Sequence, residues 1–110
     1  MTQAKALRWC VVANVDDPHT SKLRKGARVV VVALQPDWRA DRLRVEVRGV
    51  SLGGRVIQCF VAAKRLHNVR TAREWILPWQ GFGDRTTTEG WVDLVNKARR
   101  GPLVPLADPR

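Results

Sequence analysis

Apolar and charged positions alternate most clearly in the segment DRLRVEVRG, residues 41–49. One parity is apolar and is formed by Leu43, Val45 and Val47. The other parity is basic and carries Arg42, Arg44 and Arg48, with Glu46 among them. Strict alternation is typical of a strand that buries one face and exposes the other. The pattern therefore predicts a strand with a row of arginines facing solvent.

Three further segments are rich in β-branched residues and predict strands. Residues 8–15 (RWCVVANV) and 27–34 (ARVVVVAL) are apolar on both parities, which is typical of strands in the middle of a sheet. Residues 55–62 (RVIQCFVA) follow the turn signal SLGG, which predicts a hairpin with the arginine strand. The apolar positions change parity at Gly49, which indicates a β-bulge or a bend there.

The C-terminal part of the chain changes from a period of two to a helical period. Residues 64–68 predict one short helical turn, and residues 69–73 predict a last strand. Thr86 and Glu89 then stand at capping-box spacing and predict the start of a helix. The apolar face of that helix is expected to consist of Trp91, Leu94, Val95 and Ala98. The tail from Gly101 onward is rich in proline, and we expect it to be partly ordered at best.

Together these elements predict a mostly β fold, an SH3-like five-stranded small barrel with a C-terminal α-helix. An OB-fold is the near alternative, but there is no room for its usual helix between the third and fourth strands. We expect residues 1–75 to form the barrel and residues 76–110 to supply a loop, the amphipathic helix and the proline-rich tail, packed on the same domain. The residues expected to share its core are Val11, Val30, Val32, Val45, Val47 and Ile57.

Five segments of the chain together resemble a group of short uncharacterised bacterial proteins. In chain order they are RWCVVANV, LRKGARVVVV, LRVEVRG, GGRVIQCFV and RLHNVR. The resemblance covers residues 8–70 and implies an architecture without an activity. At a coarser level the middle of the chain is similar to SH3-like barrels of the KOW and Tudor kind, which bind RNA, protein tails or ribosomes. The chain has no tyrosine, so the aromatic cage of Tudor domains is not expected.

The charge of the chain favours a polyanionic partner. Twenty basic residues and ten acidic residues give a net charge of +10, and fifteen of the basic residues are arginine. Most of the excess lies in residues 1–75, because residues 76–110 carry five basic and four acidic side chains. A charge concentrated in this way attracts nucleic acid, the commonest polyanion in the cytoplasm. An arginine-rich composition without tyrosine is also what codon bias in a GC-rich genome produces, so the second explanation stays open.

The predicted nucleic-acid site is the solvated face of the arginine strand and its surroundings. Guanidinium groups hold phosphate through two parallel hydrogen bonds and stack on aromatic rings, and an exposed tryptophan stacks on bases. The residues assigned to this site are Arg39, Arg42, Arg44, Arg48, Arg55 and Trp38. The alternative explanation is that charge on a solvated edge strand only protects it from aggregation.

A second functional class is a protein-interaction module built on the loop PWQGFG. Trp79 and Phe82 in this loop are anchors of the kind found in protein interfaces, as in an accessory or toxin-neutralising protein or one that pairs with itself. The same two aromatics also suit a structural role, in which they plug the bottom of the barrel.

Catalytic and metal-binding signals are weak. Ser21 and Ser51 do not lie in a nucleophile elbow, and no glycine-rich phosphate loop precedes a helix, so we expect no enzyme activity and no cofactor. The four potential zinc ligands, Cys10, His19, Cys59 and His67, match no zinc-module spacing, so we expect no metal. We expect the cysteines to be reduced and buried, although one bridge between neighbouring strands stays open. The longest apolar run is VVVVAL and no signal peptide is evident, so we expect a cytoplasmic protein without membrane partners.

Overall fold

The structure, a computed structural model, describes residues 4–16, 22–37, 42–77 and 83–100. It is a mostly β fold, as predicted, with one antiparallel sheet and one C-terminal helix. The strands are β1 (Ala6–Val15), β2 (Arg28–Asp37), β3 (Arg42–Val50), β4 (Val56–Ala62) and β5 (Leu66–Ile76). A 3₁₀ turn at Ala63–Arg65 precedes β5, and helix α1 spans Arg85–Arg100. Neither helical element of the described ranges is long and apolar enough to cross a membrane.

The five strands are ordered β4-β3-β2-β1-β5, so the first strand pairs with the last. Strand β1 is flanked on both sides, which agrees with its apolar character on both parities. Strands β4 and β5 are the edges of the sheet, and in the described part of the chain they do not pair with each other. The sheet is therefore open, and the predicted closed barrel is not confirmed.

The sheet is nevertheless strongly curled. Arg28 on β2 pairs with Asn14, and Asn14 pairs with His67 on β5. Glu74 lies farther along β5 and pairs with Arg8 of β1. In a flat sheet, the Arg8–Glu74 pair would lie about 20 Å along the strands from Asn14 and its partners. The side chains of Arg28 and Glu74 form an ion pair all the same. The β1–β5 ribbon must therefore bend back across the sheet, as strong twist allows.

The main core lies between one face of the sheet and α1. Its buried side chains come from every strand and include Val11, Val31, Val45 and Leu66, together with Val95 of the helix. The predicted apolar face of α1 is confirmed, because Trp91, Leu94 and Ala98 pack against this core. A smaller cluster of Cys10, Val12 and Ile76 lies on the other side, packed against Val30 and Ala72.

The start of α1 differs from the predicted capping box. Asp84 caps the helix, because its Oδ1 accepts hydrogen bonds from the backbone N–H groups of Thr86 at 2.7 Å and Thr87 at 3.3 Å. Glu89 does not reach back to a cap. Its Oε1 instead accepts a hydrogen bond from Arg85 Nε at 2.9 Å, one helical turn earlier.

The parity predicted for β2 was wrong. Val29 and Val31 lie in the main core, whereas Val30 packs against the smaller cluster on the opposite side. Val32 is the extra residue of a β-bulge, because the register with β3 shifts between Val31 and Ala33. A run of four valines has no polar position to mark its solvated side, so its parity could not be read from sequence.

The β-bulge predicted at Gly49 is absent from the pairing of β3 with β4. Gly49 keeps a regular register with Ile57 and follows Val47 on the buried parity, while Val50 remains on the charged parity. A glycine is needed at position 49 because neighbouring side chains pack closely against its Cα. A Cβ at this position would lie 2.7 Å from Val29 Cγ1 and 3.1 Å from Leu23 Cδ2.

A second bulge occurs in β5 at Asn68, which has a φ of 54°. Asn14 Oδ1 lies 3.4 Å from both Asn68 Nδ2 and Arg70 Nη1, which donate to it. Arg70 Nη1 also donates to the Asn68 carbonyl at 2.7 Å. Asparagine tolerates this left-handed conformation better than most residues, so the Asn-x-Arg sequence serves the bend of the ribbon.

Candidate nucleic-acid interface

The arginine row of β3, defined as Arg42, Arg44 and Arg48, lies on the parity opposite the main core. Arg44 is exposed and Arg48 is half-buried, whereas nothing is described of the Arg42 side chain. Strand β3 is an interior strand, paired with β2 and β4. Protection of an unpaired edge therefore cannot explain these arginines, since β3 has no unpaired edge.

The row is not purely cationic. The Arg44 guanidinium lies 4.5 Å from the ring centre of Phe60 on β4, a cation–π contact. Phe60 is 40% exposed, so it belongs to the surface of the row. Glu46 lies between Arg44 and Arg48 and accepts a hydrogen bond from Gln58 Nε2 at 2.9 Å. One carboxylate and one aromatic ring therefore moderate the charge that the row presents.

Sequence reasoning missed Phe60 because it lies on the neighbouring strand. Its position follows from the register of the hairpin, in which Phe60 pairs with Glu46 and Ala62 pairs with Arg44. The predicted SLGG turn was the available signal. Residues on one parity of β4 could have been assigned to the arginine face once that turn fixed the register.

Arg55 belongs to a different surface from the row. It lies in the hairpin turn, where Ser51 N donates to the Arg55 carbonyl at 2.7 Å and Arg55 N donates to Ser51 Oγ at 3.2 Å. Val56, the first residue of β4, has the parity of the row, so Arg55 has the opposite parity. The turn directs Arg55 to one end of the molecule.

A second segment meets the hairpin turn at that end. Leu23 forms an isolated β-bridge with Ser51 and is fully buried in the main core. Leu52 N also donates to the Lys22 carbonyl at 3.0 Å. Leu23 thus anchors the segment 22–27 beside the hairpin, so that Arg55 lies about two strand spacings, roughly 10 Å, from Leu23.

Backbone geometry fixes the rest of this segment. Ala27 N donates to the Arg24 carbonyl at 3.0 Å, which closes a tight turn with Lys25 and Gly26 in its centre. Gly26 has a φ of 79°, the left-handed value that a type II turn requires at its third position. Gly26 N donates to the Val15 carbonyl at 2.6 Å, and Asn14 Nδ2 donates to the Gly26 carbonyl at 3.0 Å. The turn is therefore attached to β1.

We name this surface the basic end and define it as Lys22, Arg24, Lys25 and Arg55. All four side chains are exposed. Neither segment that supplies them, 22–28 or 50–58, contains an acidic residue. Within the described ranges none of the four forms an ion pair, and the nearby carboxylate of Asp16 lies 2.5 Å from His67 Nδ1. Among the described residues the basic end therefore combines four positive charges with no carboxylate in the segments that supply them.

Several residues singled out in the sequence lie outside the described residues. They are Trp38 and Arg39 of the nucleic-acid prediction, together with Trp79 and Phe82 of the protein-interaction prediction. The site described here therefore consists of the basic end and the described part of the arginine row. Among the described residues no group of three or more histidine, cysteine, aspartate or glutamate side chains is arranged to hold a metal ion.

Both cysteines are free, and they do not lie on neighbouring strands. Cys10 is fully buried on β1, and burial raises the pKa of its thiol although Arg28 opposes the shift. Burial also raises the pKa of the Cys59 thiol on β4, and Glu46 adds to the shift. Raised pKa values keep both thiols protonated at neutral pH, which suits packing rather than nucleophilic chemistry.

Comparison with known proteins found no match: no family model fits the chain, and neither the curated proteins nor the solved structures include a similar one. The resemblance to short bacterial proteins therefore stays a prediction. The function of the chain has to be inferred from the geometry of its surfaces.

Proposed function

We propose that this domain is a non-catalytic, cytoplasmic nucleic-acid-binding module that contacts the phosphate backbone through its basic end. The observation that carries the proposal is the bridge between Leu23 and Ser51, which brings the segment with Lys22, Arg24 and Lys25 beside the hairpin turn that carries Arg55. Clustered cations without interspersed carboxylates release condensed counterions when they meet phosphates, which is the main source of affinity for a nucleic-acid backbone. The partner is RNA or DNA.

The arginine row extends this footprint in the proposed complex. Arg48 is three residues from Ser51, so the row leads along β3 directly into the hairpin turn of the basic end. Its contribution per arginine is smaller, because Glu46 would repel a phosphate that approaches Arg44 or Arg48. The row therefore positions the backbone while the basic end supplies most of the attraction.

We also propose that the curled sheet belongs to the SH3-like small barrels. Support comes from five strands in an order that brings the first beside the last, and from the 3₁₀ turn immediately before β5. The ion pair of Arg28 with Glu74 bends the β1–β5 ribbon towards the rest of the sheet, as closure requires.

The proposal is tested by two variants that each lose two positive charges. Arg24→Gln with Arg55→Gln removes half of the basic end, and Arg99→Gln with Arg100→Gln removes the same charge from the last turn of α1. Fluorescence anisotropy of a labelled mixed-sequence oligonucleotide measures affinity. We expect the first variant to bind at least roughly 10-fold more weakly and the second to bind nearly as the wild type does. Equal losses of affinity in the two variants would mean that net charge alone determines binding, which would contradict the proposal.

A second candidate function, a protein-interaction module, is favoured by exposed aliphatic side chains on the β3–β4 hairpin. Leu52 at the turn is 62% exposed, and Val50 and Val56 beside it are exposed as well. Val50 and Val56 also line a groove of about 220 Å³ that includes Val30 and Ile76. Sedimentation velocity of the wild type and of Leu52→Glu tests self-association, because a charge at the tip would dissociate a dimer that buries it.

A further inference from the structure

The largest exposed hydrophobic side chain among the described residues is Trp75 on the edge strand β5. It is 67% exposed, and its cross-strand partner Leu7 on β1 is 39% exposed. Both residues have the parity of Val11 and face the side of the sheet that α1 covers farther along. An exposed aromatic of this size, beside a second apolar residue, is a common mark of a binding surface.

Two arginines surround the neighbouring tryptophan on this surface. Trp9 pairs with Arg73 across the strands, and the Arg73 guanidinium lies 5.7 Å from the Trp9 ring centre. The guanidinium of Arg85, the first residue of α1, lies 5.2 Å from the same ring centre. Gly83 N also donates to the Trp9 carbonyl at 3.1 Å, which attaches the start of the helix to β1. Trp9 therefore holds two exposed cations next to Trp75.

Among the described residues, the carboxylates near this surface each have a partner. Asp84 caps the first turn of α1, and Glu89 pairs with Arg85. Glu74 lies on the opposite parity of β5 and pairs with Arg28. Glu89 therefore offsets the charge of Arg85, whereas Arg73 forms no ion pair among the described residues. The surface thus combines an open aromatic face with one arginine whose charge is not offset, and we name it the Trp75 platform, defined as Leu7, Trp9, Arg73, Trp75 and Arg85.

We propose that the Trp75 platform stacks an unpaired nucleobase, which makes single-stranded nucleic acid the preferred partner. The proposal rests on the proposed function. Aromatic rings beside arginines bind single strands because every base has a face that stacks, and the arginines attract the adjoining phosphates. A duplex keeps its bases stacked inside the helix and cannot offer them to Trp75. The platform lies at the opposite end of β1 from the basic end, about 25 Å away along the strand.

The test compares a labelled oligothymidylate with a labelled duplex by fluorescence anisotropy. Trp75→Ala is expected to weaken binding of the single strand by about 5- to 150-fold, the range measured for loss of one stacked base. Binding of the duplex is expected to change less than about twofold. Trp75→Phe keeps an aromatic face and retains most of the affinity. The variant with Arg99→Gln and Arg100→Gln in the last turn of α1 is the control and leaves both affinities nearly unchanged.

Tryptophan emission supplies a second readout that does not depend on the alanine variant being folded. Stacking of a base quenches Trp75, so the oligothymidylate should quench the wild type more than it quenches Trp75→Phe. Equal quenching, or a Trp75→Ala variant that binds the single strand as the wild type does, would contradict the stacking proposal. Neither result would contradict the proposed role of the basic end. If the wild type binds neither oligonucleotide at low salt, the proposed function itself is wrong.

Discussion

The arginine row and the basic end contain similar side chains in different surroundings. On β3 the arginines alternate with buried apolar residues along one strand. Glu46 lies between Arg44 and Arg48 and contacts Gln58, and Phe60 contacts Arg44. At the basic end the cations come from a tight turn and a hairpin turn that meet at the bridge between Leu23 and Ser51. A conspicuous pattern in sequence therefore marks the cationic surface that a carboxylate interrupts. The other surface exists only after folding joins two loops.

The largest effect is expected for Val45→Asp, which should remove both surfaces together. Val45 is fully buried in the main core, and an unpaired carboxylate there costs much of the roughly 5–15 kcal/mol by which small domains are stable. Circular dichroism should show no cooperative thermal transition. Arg44→Asp, one residue away on the exposed parity, is the control and should melt cooperatively. A cooperative melt of Val45→Asp would mean that β3 is not held by this core.

Leu23→Ala should destabilise the domain, because Leu23 holds the segment of the basic end against the main core. Leu23 is fully buried and anchors the segment 22–27, and removal of a buried leucine side chain costs about 2–5 kcal/mol. Urea denaturation measures this loss of unfolding free energy. Leu52→Ala, at the neighbouring exposed position, should change stability by less than about 0.5 kcal/mol. Similar losses for the two variants would show that Leu23 is not the anchor.

Gly49→Ala tests the close contact that links the end of the row to the anchor. The added Cβ would meet Val29 Cγ1 at 2.7 Å and Leu23 Cδ2 at 3.1 Å, so the side chains must shift at a cost of about 1–3 kcal/mol. Gly53→Ala is the matched control, because its Cβ would meet only Ser51 Oγ at 3.8 Å. Urea denaturation should separate the two variants, and equal stabilities would contradict the packing described for Gly49.

Sequence patterns predicted most of the elements because their physical signals are local. The alternation around Val45, the two-sided apolar character of β1 and the apolar stripe of α1 each correspond to the structure. The valine run of β2 could not be assigned to a face, since valine gives no contrast between buried and exposed positions. The cap of α1 was misplaced because the capping-box spacing of Thr86 and Glu89 was given more weight than the stronger intrinsic capping preference of Asp84.

The candidate site was less predictable because it depends on contacts between distant segments. Arg55 was assigned to the face of the row, and only the turn geometry at Ser51 directs it elsewhere. The basic residues of the segment 22–25 are close together in sequence, but nothing local indicates that Leu23 docks against Ser51. Trp75 likewise gains its significance from Arg73, Trp9 and the first residue of α1, which come together only in the folded chain.

The most direct test of the proposed function is the salt dependence of binding to a mixed-sequence oligonucleotide. With four phosphates contacted, log K should fall linearly with log salt with a slope of about 3, so that affinity drops roughly 60-fold between about 50 and 200 mM. Arg24→Gln should lower the slope by about 0.7–0.9, and Arg44→Gln should lower it by less than half as much, because Glu46 already offsets the charge of the row. No binding at low salt, or equal slope changes in the two variants, would contradict the account.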